Sequence, residues 1–186
     1  MERYQAWFSS DTIDADTKAE LTAIADNPEE IAFRFSGYME FGTGGLRSKM
    51  GAGTGMMNNY TVAHATEGVA RIIDGLGAGE RGVVIGYDSR NHSRDFAERA
   101  AEVLTAHGIR VYLFDELRPT PCLSFGVRHF GCIAGINITA SHNPRQYNGY
   151  KLYWEDGAQP PADMANRVSE TILSVDLLTD VPSPEM

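Results

Sequence analysis

The sequence predicts an α/β protein, a three-layer α/β/α sandwich around a largely parallel sheet. Two observations carry this. Residues 82–87 (Gly-Val-Val-Ile-Gly-Tyr), 109–114 and 133–138 are apolar, β-rich runs of strand length. Stretches with apolar residues at helical spacing, joined by short connections, alternate with them.

In chain order, residues 1–38 read as a helical arm. Leu21, Ile24 and Ala25 mark one face of a helix from Asp14 to Ala25. Asn27-Pro28-Glu29-Glu30 is a helix start, with an N-cap amide, proline in the first turn and acids near the positive end of the dipole. Ile31, Phe33, Phe35 and Tyr38 supply bulk. Residues 40–57 are glycine-rich and contain Arg47 and Lys49; backbone N–H groups there can approach a phosphate. No Gly-Lys-Ser/Thr occurs, so this is not a Walker loop, and a flexible hairpin is the competing account. A helix then runs to about Leu76, with Val62, Val69, Ile72 and Ile73 on its apolar face and His64, structural or exposed rather than a ligand, within it. The Gly-x-Gly-x-x-Gly spacing at 77–82 follows a helix and precedes a strand, the reverse of a dinucleotide fingerprint.

Asp88-Ser89-Arg90 sits at the end of the strand at 82–87, where a surface ion pair would also satisfy the residue types. Ser93 is expected to cap a helix ending at Gly108. Pro119-Thr120-Pro121 leads into a helix at 122–130. After the run at 133–138 the chain turns polar: Thr139, Ala140, Ser141, His142, Asn143, with Pro144 ending regular structure. This places a hydroxyl, an imidazole and an amide at a strand end, where open α/β sheets bind ligands. Asn148-Gly149 reads as a tight turn, before a short strand at 150–154 that carries Lys151. A helix at 162–173 and a linker-like tail at 179–186 complete the chain.

With 186 residues, 42% hydrophobic and 22% charged, the chain fits one soluble globular domain with short appendages. Its 16 basic and 25 acidic residues give a formal charge of −9, against nucleic acid or an anionic membrane as partner. Cys122 and Cys132 have apolar neighbours and no metal-like spacing, so both are expected as buried free thiols, suited to a reducing compartment. No apolar run is long enough to span a bilayer and the start lacks signal-peptide form, so the expected location is cytoplasmic.

The segment Thr-Ala-Ser-His-Asn-Pro, followed by Asn-Gly-Tyr-Lys, resembles the active-site serine loop of the phosphohexomutases, the phosphoglucomutase and phosphomannomutase superfamily. Phe-Gly-Thr-Gly-Gly-Leu-Arg at 41–47, Gly-Tyr-Asp-Ser-Arg at 86–90 and the Thr-Pro element at 120–121 resemble other motifs of that family's first domain, in the right order. Gly55-Met56 departs from the Asn-Arg often found there, so a contact made by that arginine is absent. The resemblance implies a first domain at 39–178 with a mixed sheet. It implies a phosphoserine at Ser141 that passes its phosphoryl group to a sugar monophosphate and recovers another from the bisphosphate intermediate. His142 and Lys151 then assist proton transfer and phosphate binding, and Arg47 stabilises the transferring charge. Thr43 and Asn143 join Arg47 and Lys151 in holding phosphate, while Asp88 and Arg90 organise the site. It also implies Mg²⁺, with Ser141 contributing a ligand through its phosphate and the others supplied from outside these residues, and a sugar bisphosphate as activator. The partners implied are a sugar phosphate and the remaining domains of a longer mutase, an isomerase of carbohydrate metabolism, without which this chain is expected to turn over little. Glucose phosphate is favoured, with mannose and pentose phosphates as rivals. A non-catalytic phosphate-binding module is an alternative. A serine hydrolase is a weaker one, because no Gly-x-Ser-x-Gly elbow occurs.

Overall fold

A computed structural model describes residues 1–42 and 44–182. Three helices form the arm: α1 (Glu2–Ser9), α2 (Ala15–Ala23) and α3 (Pro28–Phe35). There follow β1 (Gly45–Lys49), α4 (Asn59–Gly75), β2 (Val83–Tyr87), α5 (Ser93–Ala106), β3 (Val111–Leu113), α6 (Thr120–Phe130), β4 (Ala134–Ile138), β5 (Tyr147–Trp154) and α7 (Ala162–Ser174). The sheet order is β1-β5-β4-β2-β3. β3, β2 and β4 run parallel, whereas β5 is antiparallel to both β4 and β1, so the sheet is mixed.

Side-chain alternation along the strands sorts residues into layers. Val83, Ile85, Ile136, Ile138, Tyr150 and Leu152 join Val62, Val69, Ile73, Phe96, Leu104, Val168 and Ile172 in the main core, under α4, α5 and α7. Val84 and Tyr153 face the other way and pack with Leu123, Val127 and Cys132 under α6. Those two helical layers make the three-layer sandwich. Its layers meet closely at glycines: a Cβ on Gly68 in α4 would lie 2.5 Å from Ile172 in α7, and one on Gly135 in β4 would lie 2.6 Å from Val127 in α6.

The arm has a core of its own. Tyr4, Trp7, Leu21, Ile31 and Phe35 pack with Ala52 and Leu177, and Trp7 meets Phe35 and Tyr60 edge-on at 5.6 and 5.3 Å. Asn27 caps α3 by accepting from the Glu30 N–H, as its sequence predicts. Phe33 differs from expectation. It is 56% exposed, because it lies on the outer face of α3, where the Lys49 ammonium sits 5.8 Å from its ring centroid.

Further differences bear on the site. The glycine-rich stretch contains β1, a true edge strand paired along β5 from Gly45↔Lys151 to Lys49↔Tyr147. Asn148-Gly149 is inside β5 and makes no turn. The buried Asn148 amide is satisfied by the Asn91 carbonyl, Ser93 Oγ and the Gly149 N–H, so it needs no turn to bond. Gly149 is required by crowding, since a Cβ there would lie 2.7 Å from the Thr139 carbonyl and 2.9 Å from that of Leu46. Ser93 does not cap α5. It is the first helical residue and donates to Asp88 Oδ1 at 2.8 Å, while His92, at φ 60°, holds the cap position. Cys122 is half-buried, although Cys132 is fully buried as expected.

The chain after α7 does not run free over its described length. Val175 and Leu177 are buried, Arg71 Nη2 reaches Asp180 Oδ2 at 3.4 Å, and Arg99 donates to the Pro182 carbonyl. Residues 183–186 lie outside the described residues. No helix among the described residues is long and apolar enough to cross a membrane.

Candidate active site

β2 and β4 are parallel neighbours, so their carboxyl ends share one edge of the sheet. The β2 end delivers Asp88, Ser89 and Arg90; the β4 end delivers residues 139–144. Antiparallel β5 begins at that same edge, and β1 ends there.

Ser141 is exposed and sits at φ 57°, one of two non-glycine residues with positive φ among the described residues. Local bonds set this tip. Its N–H donates to Thr139 Oγ1 at 3.0 Å, and the Asn143 N–H donates to the Ala140 carbonyl at 3.1 Å. Thr139 is anchored in turn by its own N–H on the Gly149 carbonyl at 2.9 Å. Ser141 Oγ lies 3.4 Å from His142 Nδ1, the outer limit of a hydrogen bond.

Arg90 is the clamp of this loop. Its Nη2 donates to the carbonyls of Ser141 (2.7 Å) and Asn143 (2.8 Å), and its Nη1 to those of Pro144 (3.1 Å) and Tyr147 (3.2 Å). Nε lies 3.3 Å from Asp88 Oδ2, and the side chain is only 14% exposed. Asp88 Oδ1 also accepts from the Arg90 N–H and from Ser93 Oγ. The surface ion pair considered for Asp88 and Arg90 is therefore corrected. The pair is half-buried and its arginine is spent on backbone carbonyls, which only a planar fork of donors could reach together.

Arg47 and Lys151 come from the edge strands. By strand alternation both lie on the sheet face opposite Leu46 and Tyr150, diagonally placed two residues apart in the register. Arg47 Nη1 donates to Asn143 Oδ1 at 3.0 Å, tying β1 to the serine loop. Lys151 sits opposite Asn137 of β4. Burial holds its ammonium below the usual lysine range and repulsion from Arg47 adds to the effect, with Asp88 acting the other way. The ammonium so disposed gives up a proton more readily than an ordinary lysine does and still offers charge to an anion. Thr43 lies outside the described residues. The arm braces β1 from behind: the Gly55 N–H donates to the Arg34 carbonyl, Gly55's own carbonyl accepts from Ser48 Oγ, and the Met57 N–H donates to the Lys49 carbonyl.

Beside Ser141 opens a cavity of about 460 Å³ lined by Asp88, Ser89, Arg90, Asn91, Ser141, Asn143 and Arg145. Ser89, Asn91 and Arg145 were not singled out from the sequence, because a serine, an asparagine and an arginine in loops carry no signal of their own. Among the described residues no group of three or more His, Cys, Asp or Glu side chains could hold a metal ion, and the Asp88 carboxylate is already occupied by Arg90 and Ser93. These residues by themselves do not fit a hard cation.

The class defined so far is an α/β domain presenting one strained, exposed serine among fixed cations at the carboxyl edge of its sheet. The chain matches the family described as phosphoglucomutase/phosphomannomutase, alpha/beta/alpha domain I, over residues 38–178. It belongs to that family and carries its first domain. It is 44% identical to the phosphopentomutase of Mus musculus across 78% of this chain and 25% of that protein. It is 46% identical to the phosphoglucomutase of Staphylococcus epidermidis across 78% of this chain and 27% of that protein. Among solved structures it resembles a putative phosphomannomutase from Thermus thermophilus, with TM-score 0.70 and 29% identity, covering 80% of this chain and 32% of the other. The chain thus spans about a quarter of the length of these curated relatives.

Proposed function

We propose that Ser141 is the phosphoryl carrier of a sugar-phosphate mutase, acting together with further domains of the kind its longer relatives contain. The observation that supports this reading best is the exposed Ser141 in the left-handed region, its loop locked by Arg90 and tied to Arg47 through Asn143. A nucleophile whose neighbouring imidazole, His142 Nδ1, reaches it only at 3.4 Å suits a group that carries phosphate by positioning and electrostatics.

In the forward half-reaction the bond from Ser141 Oγ to phosphorus breaks while a hydroxyl oxygen of a sugar monophosphate bonds to phosphorus, and the proton given up by that hydroxyl is returned to the departing Ser141 Oγ. The bisphosphate turns around, its other phosphoryl group returns to Ser141 Oγ, and the isomeric monophosphate departs. Arg47 offsets charge on the moving group. Lys151 holds phosphate oxygens, and its depressed pKa suits it to exchange the proton with His142. Asn143 orients Arg47, and Thr43 adds a phosphate contact. Asp88 and Arg90 act as positioning residues. The metal of this reading is Mg²⁺, to which these residues offer one ligand, an oxygen of the phosphoryl group on Ser141. A sugar bisphosphate reloads a bare Ser141. The cytoplasm, where sugar phosphates are found, is the proposed location.

Glucose 1-phosphate is the leading substrate. A pentose 1-phosphate is the second reading, favoured by the 44% identity to a phosphopentomutase. The test is conversion of glucose 1-phosphate and of ribose 1-phosphate by the polypeptide containing this chain, primed with glucose 1,6-bisphosphate, against its Ser141→Ala variant. The reading predicts turnover of at least one substrate and loss of at least about a thousandfold on substitution. Turnover that survives in Ser141→Ala contradicts it. Residues 1–186 alone are expected to show little or no turnover in the same assay.

A further inference from the structure

Thirteen arginines occur in the chain, and nearly all that lie near the site are committed. Arg90 is spent on four carbonyls and Arg47 on Asn143. Arg145 is different. It lines the cavity beside Ser141, is exposed, and has no ion pair or side-chain hydrogen bond among the described residues. Ser89 and Asn91, which also line the cavity, likewise have side chains with no hydrogen-bond partner among the described residues. The cavity's acid, Asp88, is neutralised by Arg90 and Ser93. Three unspent donors, one of them cationic, therefore line a cavity that Ser141 also lines.

Resting on the reading of Ser141 as a phosphoryl carrier, we infer that this cavity is the resting pocket of the phosphoserine, with Arg145 as its phosphate-contacting residue and Ser89 and Asn91 as accessory donors. The chemistry follows from the donor set. A phosphoserine brings three acceptor oxygens and close to two negative charges near neutral pH. A planar guanidinium can take two of those oxygens side by side, leaving the third to the hydroxyl of Ser89 and the amide of Asn91. The arrangement puts the resting group on the Asp88–Asn91 side of Ser141, so that the face carrying Arg47 and Lys151 stays open for the incoming sugar phosphate. Arg145 then stabilises the loaded state of the enzyme and slows loss of its phosphoryl group to water.

The test installs phosphoserine at position 141 of the full chain by genetic encoding and follows its ³¹P resonance against pH in wild type, Arg145→Gln and Arg145→Lys. An adjacent cation favours the dianion, so the second ionisation in wild type should lie below that of Arg145→Gln by at least about half a unit, with Arg145→Lys between them. Ser89→Ala with Asn91→Ala should give a smaller shift in the same direction. Because Arg145 supports no other group, its variants keep the wild-type melting temperature. Identical second ionisations in wild type and Arg145→Gln overturn the inference. Installed phosphoserine makes the result readable whether or not the natural protein phosphorylates Ser141. A native Ser141 that never carries phosphate sinks the proposed function by a separate route.

Discussion

Ser141 is held at φ 57°, a backbone region that costs a residue with a side chain about 1–2 kcal/mol. Such strain persists only where the surroundings over-determine it, and here Thr139 Oγ1 and the Arg90 fork do so. Glycine is free of that cost, while alanine retains it. Ser141→Gly should therefore be more stable than Ser141→Ala by about 1 kcal/mol in chemical denaturation, although both remove the hydroxyl. Equal stabilities would mean that the tip is unstrained. Arg90 is the complementary case. Arg90→Ala leaves four loop carbonyls without their shared donor, and charge-assisted hydrogen bonds of this kind contribute about 1.5–3 kcal/mol. A loss within that range is expected, together with faster amide exchange at Ser141 and Asn143. Arg90→Lys should recover little of it, since a point charge cannot reach both ends of the loop. A lysine variant that matches wild type would show that the fork geometry is unimportant.

At the scale of elements, α4, α5 and the segment after α7 are joined by a polar cluster away from the site. Glu67 in α4, 3% exposed, accepts from Arg71 Nε at 2.7 Å and lies 2.8 Å from His107 Nε2. His107 Nδ1 lies 2.6 Å from Asp74, and Arg71 extends to Asp180. Burial lowers the His107 pKa, but the hydrogen bonds to Glu67 and Asp74 outweigh it and leave the imidazole above its ordinary 6.5. A folded-state pKa that is raised contributes stability present in full below 6.5 and lost as pH climbs through the folded value. The difference in melting temperature between wild type and His107→Ala should thus be widest below pH 6.5 and should shrink as pH climbs through the raised folded-state value. A difference independent of pH would show that His107 serves by packing alone. His64 is the contrasting histidine: burial holds its pKa below the ordinary value, and Nε2 lies 2.9 Å from the Val175 carbonyl, so it fixes the same segment without a charge.

Taken as a whole molecule, the sandwich was legible wherever one physical signal dominated. Residues 82–87 are apolar on both faces because helices cover both, and 133–138 are so apart from Asn137, whose buried amide donates to Thr120 Oγ1, so both runs read directly as buried strand. The Thr-Ala-Ser-His-Asn-Pro loop was legible as an exposed polar tip at a strand end because polar side chains end a buried run. Long-range constraint was not legible. β1 looks like a glycine loop because its pairing partner, β5, lies far down the chain. Asn148-Gly149 has turn chemistry locally, but its amide and its missing side chain answer to Asn91, Ser93, Thr139 and Leu46, none of them a chain neighbour. Arg90 gave half its role away as a neighbour of Asp88 and hid the other half in carbonyls 51 to 57 residues downstream.

The central claim is that Ser141 carries a phosphoryl group, and the measurement that meets it directly is an intact-mass spectrum of the protein isolated from its own cells, with the modified residue mapped by fragmentation. The expected result is one phosphoryl group, on Ser141, in a fraction of molecules that rises on incubation with glucose 1,6-bisphosphate. An unmodified Ser141 that the bisphosphate fails to load, in protein that is folded, would contradict the claim and leave a domain that binds phosphate without transferring it.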